Sequence, residues 1–332
     1  MVLEPRSGGL IQPVAEALAA NGASVELLWQ DEPWKIDHLD YLVTYGPMQS
    51  MSWALRRLGA AHRVPPVVVW FTEQMPSPSA HLLISKAAEL RCASDRATCE
   101  MKSNRLLAKM TAKAVGKAGR LRSLGELLFL KRHKMLRMVG VFSQTNQRYL
   151  AASGLPSAVI PMGYHPSFGH DKGLTRDIDV VFLGTTKDRR RKILIANIEE
   201  RLLCRGIRIE IRDGSPDRPA IFGDERSELL SRSKIMLNIM RQPWDDPVFR
   251  LLLAAPHGTL VLSEMLLPTS TGPFVPAQHF VMSKIEELDS RIATLLADEE
   301  KRCSVSAKAK YCVMREVTMD NMAHRLLCCA GL

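Results

Sequence analysis

Residues 233–264 read SKIMLNIMRQPWDDPVFRLLLAAPHGTLVLSE, and this stretch decides the fold. Residues 234–239 form a near-continuous apolar run bounded by polar side chains, and residues 259–262 form another. Strands that are apolar on both faces belong in a parallel sheet covered by helices. Between the two runs lie a charged, aromatic loop at 241–246, a short helix with Arg250 near its start, and a turn at Gly258. Ligands of open parallel sheets bind beyond the carboxyl ends of the strands. Arg241 and Glu264 fall at such ends and are therefore candidate ligand contacts.

Working outward, residues 178–183 are predicted as the first strand of the same sheet, running into GTTKDRRRK at 184–192 before a helix at about 192–205. A glycine turn, two hydroxyls and a helix N-terminus make an anion site, because free backbone N–H groups and the helix dipole point at the loop. Gly184, Thr185 and Thr186 would supply the loop, and Lys187, Arg189 and Arg190 the cationic donors. A diphosphate suits this arrangement. The spacing G-x-x-x-x-G-K-[ST] is absent, so the loop is not a Walker motif.

The N-terminal part carries the same alternation. Strands are expected at 2–4, 24–29, 39–45 and 66–71, with helices at 10–21 and 49–60 between them. The glycines at 7–9 lack the full G-x-G-x-x-G spacing, so no dinucleotide is implied. The strand at 66–71 ends in WFTEQMP, which puts Glu73 at a carboxyl end as a candidate general base or acceptor ligand. Residues 80–138 form a basic, helical segment, followed by a buried strand at 139–143 and a helix at 144–152. The stretch MGYHPSFGHDKG at 162–173 is rich in Gly, Pro and His and lacks periodicity. It opens an expected linker over 162–177, from which His165 is a further cleft candidate. A strand at 207–212, a short one at 280–282, and helices at 284–297, 299–315 and 318–329 complete the pattern.

The chain has 332 residues, enough for two ordinary domains, and 46% hydrophobic residues, enough for two cores. No run of about 18 apolar residues and no cationic-then-apolar leader is present, so a cytoplasmic location is expected. Seven scattered cysteines include no CxxC and no zinc spacing, so no metal site is expected. The net charge is +10, and residues 82–137 alone hold 14 Lys/Arg against 4 Asp/Glu. One basic face is therefore expected, as for peripheral contact with an anionic membrane. Phe129 is the only aromatic residue in that segment and no nucleic-acid module is recognisable, so a nucleic-acid partner is not expected.

The motif RLLLAAPHG followed by TLVLSE resembles the donor half of two-domain glycosyltransferases, in particular the group that includes the spore-maturation-type enzymes. Their pattern is R-x-F-E-A-x-A-C-G, a strand and an acidic residue, so Arg250, Gly258 and Glu264 match. Leu253 stands at the family glutamate that serves the donor ribose, and His257 at the cysteine. Of the wider Glu-x7-Glu pair only the acidic first half remains, as Asp245. Val317 and Met322 depart from the family residues at the start of the last helix.

The resemblance implies an α/β fold of two Rossmann-like, doubly wound parallel-sheet domains facing across a cleft, the GT-B architecture. The expected units are an acceptor domain at 1–161, the linker at 162–177, a donor domain at 178–317 and a C-terminal helix at 318–332. It further implies transfer of a sugar from a nucleoside diphosphate sugar to an acceptor hydroxyl, retaining and without a metal or other cofactor. The acceptor would be a glycan, a lipid-linked glycan or a protein, and a bacterial envelope or spore glycan fits the group. Glu264, Glu73 and His165 are the catalytic candidates. Gly184, Thr185, Thr186, Lys187, Arg189, Arg190, Arg241, Arg250 and Gly258 are the donor-binding candidates. A protein of the same fold that binds the sugar nucleotide without turnover is the alternative, and Leu253 motivates it.

Overall fold

The computed structural model describes residues 10–29, 34–46, 63–72, 75, 86–89 and 119–332. The chain divides into two compact units, Met1–Ile160 with Ala323–Leu332, and Pro161–Met322.

In the first unit, helix α1 (Ile11–Ala20) precedes strands β1 (Leu42–Gly46) and β2 (Val67–Phe71). Helix α2 (Gly119–Arg132), β3 (Leu136–Val141), α3 (Gln144–Ala152) and β4 (Ser157–Val159) follow. The four described strands are parallel in the order β1-β2-β3-β4. β2 is VVVWF with every residue buried, as a strand covered on both faces must be. Trp70, next to the strand's carboxyl end, is fully buried, and its indole N–H donates to the Ile160 carbonyl at 2.9 Å. Of the expected strand at 24–29, only Leu28 makes a strand-like bridge. The expected strand at 2–4, the helix at 49–60, Glu73 and most of the basic segment lie outside the described residues.

The second unit contains β5 (Ile178–Leu183), α4 (Arg189–Leu203), β6 (Ile209–Arg212), α5 (Gly223–Arg232) and β7 (Ser233–Asn238). Next come α6 (Val248–Ala254), β8 (Leu260–Glu264) and β9 (Val281–Ser283), then α7 (Leu288–Ala297), α8 (Glu299–Tyr311) and α9 (Met319–Ala330). Helix α9 supplies its first residues to this unit and the rest to the other. All five strands are parallel in the order β6-β5-β7-β8-β9. Ile235, Leu237, Leu260 and Leu262 bury into one core with Ile195, Ile198 and Leu202 of α4 and Leu288, Ile292 and Leu295 of α7. The periodic apolar faces of those helices therefore meet the apolar strands, as the sequence requires.

The connection β5-α4-β6 runs to one side of β5 and β6-α5-β7 crosses back to its other side, so strand order reverses between β5 and β7. At such a switch point the loops splay apart and open a crevice beyond the carboxyl ends. Here the crevice is bounded by the loop at Gly184 and by the chain after Asn238.

Candidate active site

β5 ends at Leu183, one residue after the fully buried Phe182, and the chain then turns through Gly184 at φ +141°, where a side chain would be strained. Thr185 Oγ1 accepts from the Lys187 backbone N–H at 3.2 Å, and Asp188 caps α4 by accepting from the Arg191 N–H at 3.3 Å. A Cβ on Gly184 would sit 2.9 Å from Arg250 Nη2 and 3.5 Å from Arg191 Nη1. The missing side chain thus lets two guanidinium groups lie directly against the loop. Both also stand over the Phe182 ring, 5.9 Å (Arg191) and 6.0 Å (Arg250) from its centroid.

The electrostatics of this cluster are unfavourable as they stand. Burial, reinforced by Arg191 and Arg241, pulls the Arg250 guanidinium down to about 9. Burial and the Arg241 charge pull Arg191 down to about 10. Opposite them, burial and the neighbouring Asp245 push the Asp246 carboxyl up to about 7. The Nε atoms of Arg191 and Arg250 are buried without a hydrogen-bond partner. Three mutually repelling cations, two of them with unspent donors, form a site that a multiply charged anion would stabilise.

The cluster opens into a pocket of about 410 Å³, a size suited to a small organic ligand. Gly184, Thr185, Lys187 and Arg250 line its cationic side, with Arg212 and Arg226. Ile221, Phe222, Phe249 and Leu253 supply apolar and aromatic surface. Phe222 is 73% exposed and Phe249 42%, which is costly for phenyl rings in water and favourable for stacking on a planar group. Asp213, just after β6, is the only carboxylate among the described residues that line the pocket. A second cavity, in the first unit, lies at the amino ends of β1 and β2, where Asp40 and Pro66 line it, away from the ligand-binding edge of such a sheet.

Among the sequence candidates, Gly184, Thr185, Lys187 and Arg250 line the pocket together, and Arg241 joins them through its charge. Thr186 turns its hydroxyl to Asp213 at 2.6 Å. Arg189 is exposed and is not among the lining residues. Arg190 and Glu264, expected to meet the ligand separately, instead bind each other. Arg190 Nη1 donates to Glu264 Oε1 at 3.0 Å and to the Met240 carbonyl at 2.7 Å, while Nη2 forms a second, short bond to Oε2. The Met240 N–H also donates to Glu264 Oε1, at 2.6 Å. Glu264 is 3% exposed, so this network ties the carboxyl ends of β7 and β8 to the start of α4.

Gly258 lies at the amino end of β8, opposite the pocket, where a Cβ would meet Arg176 Nη2 at 2.7 Å. His165 caps a short turn, its Nδ1 accepting from the Ser167 N–H at 3.2 Å. His257, at the family cysteine position, is fully buried. Its Nδ1 lies 2.7 Å from the Leu253 carbonyl, which fixes the proton there. Burial, against the pull of that hydrogen bond, brings the imidazole down to about 4. Sequence reasoning missed Arg191, Asp213, Arg226, Phe222 and Phe249. The Asp213-Gly214 pair after an alternating strand was the one available signal.

Residues 168–328 match the family described as "Glycosyl transferase-like". No curated protein sequence matches the chain. Among solved structures, HepE from Anabaena in complex with UDP-glucose aligns over 98% of this chain and 90% of its own, at 11% identity and TM-score 0.58. WaaG, a glycosyltransferase involved in lipopolysaccharide biosynthesis, aligns over 97% and 95%, at 12% identity and TM-score 0.58. TarM, from S. aureus, aligns over 88% of this chain and 55% of its own, at 8% identity and TM-score 0.54, so the chain spans about half of TarM. The family match spans just under half of the chain, and the likeness to these structures shows the fold: α/β units built on two parallel sheets, as in glycosyltransferases of GT-B fold. Among the described residues, no helix is long and apolar enough to cross a membrane.

Proposed function

We propose that the chain transfers a sugar from a nucleoside diphosphate sugar, held in the second unit, to the hydroxyl of a glycan or lipid-linked acceptor. The observation that carries this reading is the joining of the Arg191–Arg241–Arg250 cluster to a pocket with an aromatic rim, at a strand-order switch point. The solved relative in complex with UDP-glucose supports it, since such a ligand has the same two-part chemistry. The diphosphate would lie at the Gly184 loop, against Arg250 and Lys187, with the base at Phe222 and Phe249. As the bond from the anomeric carbon to the diphosphate oxygen breaks, charge builds on that oxygen. Preplaced guanidinium groups stabilise it without reorganising. Transfer without a metal is part of this proposal; retention at the anomeric carbon rests on the family resemblance alone.

The second reading, binding without turnover, is favoured by two observations. The Leu253 side chain lines the pocket and offers no acceptor, and the Glu264 carboxylate is spent on Arg190 and Met240. Thermal-shift screening against UDP, GDP, ADP and dTDP sugars, followed by diphosphate-release assays, separates the readings. A ligand at 100 times its dissociation constant adds about 2.7 kcal/mol of stability. Stabilisation with release supports transfer, stabilisation without release supports the second reading, and no stabilisation by any of them rejects both.

A further inference from the structure

The carboxylate on the pocket has no part in holding a diphosphate, and its position calls for a separate account. Asp213 follows β6, the strand beside β5, and lines the same pocket as Gly184, Lys187 and Arg250. In strand–glycine loop–helix–strand units generally, the end of the second strand lies one sugar away from a phosphate held at the first loop. An acidic residue there accepts hydrogen bonds from ribose hydroxyls. The order here is the same: β5, Gly184, α4, β6, Asp213.

The hydrogen-bond inventory of Asp213 fits that task. An ionised carboxylate has about four acceptor positions. Thr186 Oγ1 occupies one at Oδ2, at 2.6 Å, and the Ser215 N–H occupies one at Oδ1, at 3.0 Å. Each oxygen therefore keeps one position, and the two fixed donors set the plane of the group. Burial pushes the carboxyl upward, but the bonds from Thr186 and Ser215, with the Arg218 charge, outweigh it and hold the group below its ordinary range. It therefore remains an acceptor-only anion at neutral pH. An anion beside a cationic phosphate site would repel a second phosphate and attract hydroxyls. The Leu253 side chain, on the same pocket, cannot accept at all.

We propose that Asp213 accepts the ribose hydroxyls of the bound nucleotide and makes the pocket selective for ribonucleoside over deoxyribonucleoside diphosphates. This rests on the donor reading above and deepens it. The test is titration calorimetry of the full chain with matched pairs, UDP, GDP and ADP each against its 2′,3′-dideoxy analogue. Wild-type protein should bind the ribose form about 10- to 100-fold more tightly, the range for hydrogen bonds to a charged group. Asp213→Ala should lose most of this preference. Thr186→Val removes the bond that orients the carboxylate but leaves the charge, and should retain a clear preference.

If none of UDP, GDP, ADP and dTDP binds wild type, the donor reading itself fails, whereas binding of dTDP alone overturns the Asp213 proposal. If a ribonucleoside diphosphate binds and its dideoxy analogue binds equally, the Asp213 proposal is overturned with the donor reading intact. That comparison needs no variant, so it stands even if Asp213→Ala does not fold. Preservation of the full preference in a folded Asp213→Ala protein would overturn it equally.

Discussion

Arg250→Met should stabilise the ligand-free protein while weakening its response to nucleotide, and the size of the effect follows from the cluster. Burial and the charges of Arg191 and Arg241 bring Arg250 from 12.5 to about 9. At about 1.4 kcal/mol per pH unit, keeping this charge without a bound anion costs on the order of 5 kcal/mol, taken as an upper bound. Methionine keeps the unbranched stem against Phe182 but forfeits the cation–π contact, worth roughly 1 kcal/mol, and removes a counter-charge from Asp246. A net gain of about 1 to 3 kcal/mol remains, which raises the melting temperature by several degrees in a protein of this size. Calorimetric melting without ligand reads it directly. Addition of the best-binding nucleoside diphosphate should then raise the wild-type melting temperature and raise the variant's by clearly less. A variant that melts several degrees below wild type without ligand would refute the reasoning, because Arg250 would then be part of the framework.

The opposite outcome is expected for Glu264→Gln, which removes one partner of a pair whose Glu264 side chain is 4% exposed. Urea unfolding should show a loss of about 2 to 4 kcal/mol, whereas unchanged stability would remove the Arg190–Glu264 network from the framework. His257 has a folded value near 4, below the ordinary 6.5, so the unfolded chain takes up the proton first as pH falls. Its contribution is fully present above about pH 6.5 and is lost on descending through pH 4, roughly 3 kcal/mol in all. Urea titrations across that window should show the loss, and a flat profile would contradict the buried neutral imidazole. The excess of cations at 82–137 predicts sedimentation with anionic vesicles that weakens with salt. Equal recovery with neutral vesicles would point to a soluble acceptor.

The doubly wound second unit was legible in the sequence because its strands are apolar on both faces and its helices carry clean apolar stripes. Residues 234–239 and 259–262 are short apolar runs bounded by polar side chains, as strands covered on both faces are. The Gly184 loop was legible for the same local reason, a glycine and hydroxyls between a buried strand and a charged helix start. What escaped the sequence was pairing across strands. Arg190 and Glu264 are 74 residues apart, and only the register of β5, β7 and β8 reveals that they neutralise each other. The run Arg189-Arg190-Arg191 gave no sign of which arginine turns inward. Helix α4 decides it, exposing Arg189 and burying Arg191 to 3%. Asp213 was visible only as the end of a strand, since its neighbour β5 had to be known before the pocket could be.

The central claim is that a nucleoside diphosphate occupies the pocket beside Gly184 and Arg250. Titration calorimetry of the whole protein with UDP, GDP, ADP and dTDP tests it most directly, with Arg250→Met measured in parallel. At least one should bind wild type with one-to-one stoichiometry and lose about 10- to 100-fold in affinity on the substitution. Absence of binding by all four, or binding that Arg250→Met leaves unchanged, would contradict the account.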